Sequence, residues 1–111
     1  WHFDNSSFAI TLLLQAPEEG GIFQYVSDLR NIDSGETNFD GVEAVLNDKV
    51  PVKTLNIEEG TLILFRGRNS LHRVTPIIGS GTRILVVLAY NNTSNVSLSE
   101  SARMTFFGRL S

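Results

Sequence analysis

The chain opens with the sequence WHFDNSSFAITLLL, residues 1–14, in which a short polar segment leads into an apolar run. Side chains alternate between the two faces of an extended strand, so His2 and Asp4 point to the same side. An imidazole and a carboxylate on the same side of a strand can bind one metal ion together. The run Phe8–Leu14 has the length of a buried strand and continues directly from these two residues. The stretch therefore predicts two metal ligands at one end of a β-structure.

A second histidine and an arginine extend this pattern. His72 follows the polar, turn-prone residues 66–70, and with His2 and Asp4 it gives a two-histidine, one-carboxylate set. Such a set holds non-haem Fe(II) and leaves coordination positions open. Arg83, at the start of the next predicted strand, would supply charge for an anionic cosubstrate. Taken singly, each residue has an ordinary alternative as a strand-end polar group or a structural histidine; the combination is more specific.

Hydrophobic periodicity and turn residues predict a mainly β chain with one or two short helices. Strands are predicted at 8–14, 21–26, 50–57, 61–65, 72–75 and 83–90, and helices at 38–46 and 99–104. The polar residues 27–38 predict a surface loop of the kind that often carries specificity. Phe106 and Phe107 are expected to pack in the core.

Two hairpins are expected from the turn residues. Residues 8–14 and 21–26 flank the turn-forming sequence PEEGG, residues 17–21, and are predicted to pair antiparallel. Residues 72–75 and 83–90 are predicted to pair across residues 79–81, which would bring Arg83 near His72.

Composition limits the class of protein. The 111 residues, 41% hydrophobic and 19% charged, fit one ordinary globular domain over 1–111. A net charge of -3 argues against nucleic-acid and anionic-membrane partners. The absence of cysteine excludes disulfides and thiolate zinc sites. No apolar run reaches the roughly 18 residues of a membrane-spanning helix, and a cytoplasmic location is expected.

Four segments of the chain carry a family resemblance, namely WHFDNS (1–6), LLQAPEEGGIF (13–23), GTLILFRGRNSLHRV (60–74) and Thr82-Arg83 with the apolar strand after it. They resemble the iron- and 2-oxoglutarate-dependent oxygenase superfamily, and within it the branch of ArpA-like hydroxylases and amino-acid halogenases. The likeness runs from Trp1 to about Arg109. It implies a double-stranded β-helix, or jelly roll, with the iron at one mouth. The first core strand and the supporting helices of that fold are expected to precede Trp1.

The resemblance also implies a chemistry. His2, Asp4 and His72 would bind Fe(II), and Arg83 would bind the distal carboxylate of 2-oxoglutarate. Thr11 and Thr75 are further candidates for cosubstrate contacts, although a threonine in a strand is usually only a strand former. Ascorbate is a candidate auxiliary reductant.

The implied reaction is a hydroxylation. Dioxygen and 2-oxoglutarate would be consumed, succinate and CO2 released, and an unactivated C–H bond of a small amino-acid-like substrate hydroxylated. The halogenases of this branch have glycine where this chain has Asp4, which is why Asp4 favours hydroxylation. Two alternatives stay open: an oxygenase acting on a protein or peptide side chain, and a non-catalytic, cupin-like metal-binding module. Cupins usually have more histidines than the two of this chain.

Three further arginines lie close to His72 in sequence. Arg66, Arg68 and Arg73 would bind substrate or cosubstrate, or would form a solvated cluster.

Overall fold

A computed structural model describes residues 1–111, and the chain is mainly β. Its elements in order are the strands β1 (Phe8–Gln15), β2 (Glu19–Gly20) and β3 (Phe23–Val26), the helix α1 (Phe39–Leu46), the strands β4 (Lys53–Leu55), β5 (Leu62–Phe65), β6 (Leu71–Val74), β7 (Ile77–Ile78) and β8 (Ile84–Tyr90), and the helix α2 (Glu100–Phe107). A 3-10 turn, Ile32–Ser34, precedes α1. Neither helix has the length and apolar character needed to cross a bilayer.

The strands form two three-stranded antiparallel sheets and one short pair. The first sheet has the order β5-β1-β8, the second has the order β4-β3-β6, and β2 pairs with β7. Phe65 of the first sheet contacts Phe23 and Tyr25 of the second, with ring centroids 5.0 and 5.9 Å apart. The two sheets therefore meet through a layer of aromatic rings.

The small core follows the alternation of side chains along β1. Ala9 and Leu13 are buried, whereas Leu14 is half exposed because successive strand residues face opposite sides. Helix α1 begins after Asn38, whose side chain accepts a hydrogen bond from the backbone N–H of Gly41, as a helix cap does. The helix contributes Val45, which is buried. The predicted helix at 38–46 is confirmed.

Both predicted hairpins are wrong. Strand β1 pairs with β5 and β8, while β3 pairs with β4 and β6, so residues 8–14 and 21–26 lie in different sheets. The sequence between them turns the chain from one sheet to the other. Gly20 and Gly21 take positive φ values of 74° and 63° in this turn, a backbone conformation that glycine adopts without penalty.

The second hairpin fails for the same reason. Strand β6 belongs to the second sheet and β8 to the first, and the segment between them instead contributes β7, which pairs with β2. Arg83 is therefore not brought to His72 by a shared hairpin.

Two smaller expectations also differ from the structure. The predicted strand at 50–57 shortens to Lys53–Leu55. Phe106 and Phe107 are 56% and 62% exposed rather than in the core, because α2 lies at the surface and buries none of its residues.

Candidate metal centre

Three side chains converge at one end of the second sheet. His2, Asp4 and His72 each offer a ligand atom, and these atoms all lie within 4.8 Å of one another. Asp4 Oδ1 is 3.5 Å from Nε2 of His2 and 3.2 Å from Nε2 of His72. The structure thus brings together the three residues that the sequence pattern selected as ligands.

The backbone fixes this arrangement. His2 and His72 lie opposite each other as an antiparallel bridge and exchange two hydrogen bonds, with N···O distances of 2.9 and 3.0 Å. The backbone N–H of Asp4 donates to the carbonyl oxygen of Gly67 at 3.0 Å. The segment with two ligands is therefore anchored to the chain on both sides of Phe3.

The hydrogen bond of His72 to the backbone decides which ring nitrogen is free. Its Nδ1 lies 2.8 Å from the carbonyl oxygen of Ser70, and because a carbonyl oxygen only accepts, Nδ1 carries the proton and donates it. Nε2 then faces Asp4 Oδ1; with a proton it donates a hydrogen bond to the carboxylate, and without one it offers a lone pair to a metal. Two acceptors so close together need a proton or a metal cation between them. Metal-binding histidines are typically oriented in this way, by a hydrogen bond from the other ring nitrogen.

Asp4 is held as an anion. Burial by itself raises the pKa of the Asp4 carboxyl, but hydrogen bonds to His2 and His72 and the attraction of their charges outweigh burial and hold the pKa well below its usual range. Because metal ligands must be deprotonated, this carboxylate is ready to bind a cation near neutral pH.

Aromatic side chains enclose one side of the cluster. The His72 ring is 4.7 Å from Phe65 and 5.8 Å from Phe23 between centroids, and its side chain is only 7% exposed. His2 is 45% exposed and is approached by the edge of Phe106 at 6.1 Å. The cluster is therefore buried on the His72 side and open to solvent on the His2 side.

Arg30 links the ligand segment to the loop before His72. Its guanidinium lies 3.8 Å from the centroid of the Phe3 ring. Its Nε donates to the carbonyl oxygen of Arg68, and its backbone N–H donates to that of Asn69. Residues 27–38, expected to form a specificity loop, thus contact the supports of the cluster.

Arg83 lies in a different cavity. This space of about 150 Å³ is lined by Arg83 with Leu13, Pro17, Gly21 and other residues, and none of the three cluster residues is among them. Burial lowers the pKa of the Arg83 guanidinium. Its Nε is buried and has no hydrogen-bond partner, which leaves a donor available for an anion.

A protein-family model described as Halogenase D matches residues 1–106. The chain belongs to the Halogenase D family. A comparison with curated proteins gives no match. The matched region contains all three residues of the cluster and Arg83.

Thr11 and Thr75 of this Halogenase D family member, the two further candidates for cosubstrate contacts, have other partners in the structure. Thr75 Oγ1 accepts a hydrogen bond from the backbone N–H of Ile22, and Thr11 lies within β1 opposite Ile63 and Val87. Neither threonine lines the cavity of Arg83.

The three arginines near His72 have separate surroundings. Arg68 pairs with Asp33 and donates to the carbonyl oxygen of Asn5. Arg73 donates to Gln24 and stacks on Trp1, with its guanidinium carbon 4.5 Å from the ring centroid. Arg66 lines a polar cavity of about 180 Å³ together with Asp28 and Asp33. Arg68 and Arg73 are thus engaged by the protein itself.

Three supporting residues of the centre were missed from the sequence. The Ser70 carbonyl orients His72, Gly67 binds the Asp4 backbone, and Arg30 contacts Phe3. A backbone carbonyl has no signature in a sequence, and Arg30 is remote in sequence from both partners. Gly67 has a signal in the sequence, since it lies between two arginines just before His72, but residues 66–70 predict only a turn.

Proposed function

We propose that this protein is a non-haem Fe(II)- and 2-oxoglutarate-dependent dioxygenase that hydroxylates a small amino-acid-like substrate. The observation that carries the proposal is the convergence of two imidazoles and one carboxylate within 4.8 Å. The donor types suit Fe(II) better than a soft metal. Nε2 of His72 and Oδ1 of Asp4 lie 3.2 Å apart, so one cation could bind both atoms. Bound Fe(II) would supply the coordination of 2-oxoglutarate and dioxygen and the oxidation of a C–H bond.

We further propose that the two sheets belong to a double-stranded β-helix. Between β1 and β8 the chain passes repeatedly from one three-stranded sheet to the other: β1 lies in the first, β3 and β4 in the second, β5 in the first, β6 in the second and β8 in the first. This alternation is what a chain wound around two facing sheets produces. The bridge between His2 and His72 adds the ligand segment to the edge of the second sheet at β6.

The residues of the chain would divide the work. His2, Asp4 and His72 hold the metal, and Phe65 and Phe23 keep water from the His72 side by covering it. 2-Oxoglutarate would extend from the metal into the cavity of Arg83, which would bind its distal carboxylate, since a guanidinium with an unpartnered Nε offers donors in the geometry that a carboxylate accepts.

Asp4 favours hydroxylation over halogenation. In the halogenases that the chain resembles, glycine at this place frees a coordination position for a halide. Asp4 instead lies against both histidines and is ionised. If Asp4 held the metal there, with 2-oxoglutarate and dioxygen at the open positions, it would leave no position for a halide.

The test combines a spectrum with product analysis. Under anaerobic conditions, Fe(II) and then 2-oxoglutarate are titrated into the protein, and the visible absorption of the metal is followed. We expect a new absorption that depends on both, and oxygen-dependent formation of succinate with a panel of free amino acids. The same panel as short peptides tests the protein-side-chain alternative. Absence of both the spectral change and succinate would refute the oxygenase and leave a non-catalytic metal-binding module.

Halogenation is the second candidate, and the Halogenase D family match favours it. The assay distinguishes the two outcomes when it is run in chloride, in bromide and in halide-free buffer. A hydroxylase gives the same oxygenated product in all three. A halogenase gives a product whose mass follows the halide.

A further inference from the structure

Gly67, in the loop before His72, lies directly against the cluster. A Cβ atom built on Gly67 would overlap Oδ2 of Asp4, lie 2.5 Å from its Cγ and lie 2.8 Å from Cε1 of His72. Gly67 is itself buried. The space of the missing side chain is thus filled by two of the three candidate ligands.

Backbone conformation does not explain a glycine at this position. Six of the nine glycines have positive φ, which favours glycine, and Gly67 is not one of them. A positive φ is therefore not the reason for a glycine here. Space is therefore the property of glycine that this position uses.

Hydrogen bonds hold the backbone of the loop around Gly67, so the loop would not move away from an added methyl group. The backbone N–H of Asp4 donates a hydrogen bond to the carbonyl oxygen of Gly67 at 3.0 Å, which keeps the two residues at a fixed separation. Arg30 holds the neighbouring carbonyl groups of Arg68 and Asn69. An added methyl group would therefore push the Asp4 carboxylate and the His72 ring rather than the loop.

Both displacements would act on ligand geometry. Rotation of the carboxylate moves Oδ1 away from the two histidines. Pressure on Cε1, the carbon between the two ring nitrogens, tilts the imidazole and strains the bond from Nδ1 to Ser70. Metal sites are sensitive to such changes, since altered supporting residues typically weaken metal binding about 10- to 100-fold.

We propose that Gly67 is a positioning residue of the metal centre, whose missing side chain leaves the space in which Asp4 and His72 reach a common cation. The inference rests on the proposed function, because it assigns Gly67 to the same centre. It adds a steric requirement that the ligand set does not contain.

The first test measures metal affinity rather than turnover. Co(II) is titrated into wild type, Gly67→Ala and Gly41→Ala, and binding is followed by Co(II) absorption and by the fluorescence of Trp1, the single tryptophan. Gly41→Ala is the matched control. Gly41 lies in α1 and, like Gly67, has no positive φ, and a Cβ atom added to it would overlap the side chain of Asn38. We expect Gly67→Ala to bind Co(II) about 10- to 100-fold more weakly and Gly41→Ala to bind as wild type does. Equal affinity of Gly67→Ala and wild type would overturn the inference.

The second test needs neither metal nor activity. Thermal unfolding of the metal-free protein is compared for Gly67→Ala in the wild-type and Asp4→Gly backgrounds. We expect Gly67→Ala to lower the melting temperature in wild type, and expect most of that loss to disappear in Asp4→Gly, where the overlapping carboxylate is gone. The same loss in both backgrounds would overturn the inference.

The comparison also decides the case in which Gly67→Ala does not fold. A double variant that folds as well as Asp4→Gly supports the steric role, and one that fails while Asp4→Gly folds refutes it. Because these readouts do not involve 2-oxoglutarate, a protein that yields no succinate fails the proposed function and leaves the role of Gly67 to be judged separately.

Discussion

Replacement of Arg83 by methionine separates cosubstrate binding from stability. Methionine keeps the length of the side chain and removes its charge and its donors. A truncated partner of a buried charge pair costs about 2 to 5 kcal/mol of binding, and we take the lower part of that range because Arg83 is only half-buried. A loss of about 2 to 3 kcal/mol corresponds to 2-oxoglutarate binding about 30- to 150-fold more weakly. Binding of Co(II) is expected to stay unchanged, since none of the cluster residues lines the Arg83 cavity.

The same variant should not lose stability in the absence of 2-oxoglutarate. Arg83 has a buried Nε without a partner, and burial disfavours its charged form, so removing the guanidinium relieves a cost. We expect the metal-free Arg83→Met protein to unfold at a temperature no lower than wild type. Calorimetric titration of 2-oxoglutarate into the Co(II)-loaded protein measures the affinity, and Arg66→Met, which removes an exposed charge, is the matched control. Unchanged affinity in Arg83→Met, or an equal loss in Arg66→Met, would show that Arg83 does not bind the cosubstrate.

Three further changes test the cluster and the packing behind it. Asp4→Gly should weaken Co(II) binding and abolish most hydroxylation because the anionic ligand is lost; hydroxylation near the wild-type rate in chloride-free buffer would exclude Asp4 as a ligand. Phe65→Ala should lower the free energy of unfolding by about 3 kcal/mol because Phe65 joins the two sheets, whereas Phe107→Ala, at an exposed position, should change it little; equal effects in urea unfolding would contradict this packing. The lowered pKa of Asp4 means that its contribution to stability is present above the ordinary carboxyl pKa of about 3.9 and is lost as the pH falls below it. Metal-free wild type should therefore lose more stability than Asp4→Asn between about pH 5 and pH 3, and parallel losses in urea unfolding would refute the assigned ion pairing.

The sequence was sufficient to predict the main strands and helices, but it did not predict which strands pair. The predicted strands at 8–14 and 83–90 correspond to β1 and β8, because the apolar runs that form them are local features. Which strands pair depends on distant residues: β1 lies between β5 and β8, both far away in the chain. The sequence PEEGG at 17–21 has the composition of a hairpin turn. In the structure its residues take part in a crossing between sheets, and composition does not distinguish the two.

The candidate site divides in a similar way. The three candidate ligands were predicted from the sequence because each is a distinctive residue type in a recognisable spacing. Their supports were not found, since the Ser70 carbonyl acts through the backbone and Gly67 acts through space that it leaves free. Both effects exist only after the loop has folded against Asp4. The sequence shows that residue 67 has no side chain, but only the fold shows that Asp4 and His72 occupy the space that a side chain would fill.

The three candidate ligands differ in how firmly the protein holds them. His72 lies in β6, is 7% exposed and is oriented by Ser70. The His2 side chain is 45% exposed, and its segment pairs with β6 through one isolated bridge outside the named strands.

Two cation–π contacts join the segment of His2 and Asp4 to the rest of the protein. Arg73 contacts Trp1, and Arg30 contacts Phe3. At exposed sites such contacts contribute about 0.5 to 1 kcal/mol each, and they add to the backbone hydrogen bonds that join His2 to His72 and Asp4 to Gly67. A metal ion that binds only the docked form has its apparent affinity reduced by the docked fraction, and in return it stabilises that form by mass action. Metal binding and the docking equilibrium of the segment are therefore coupled. Trp1 reports on that equilibrium directly, because its ring stacks on Arg73 only when the segment is in place.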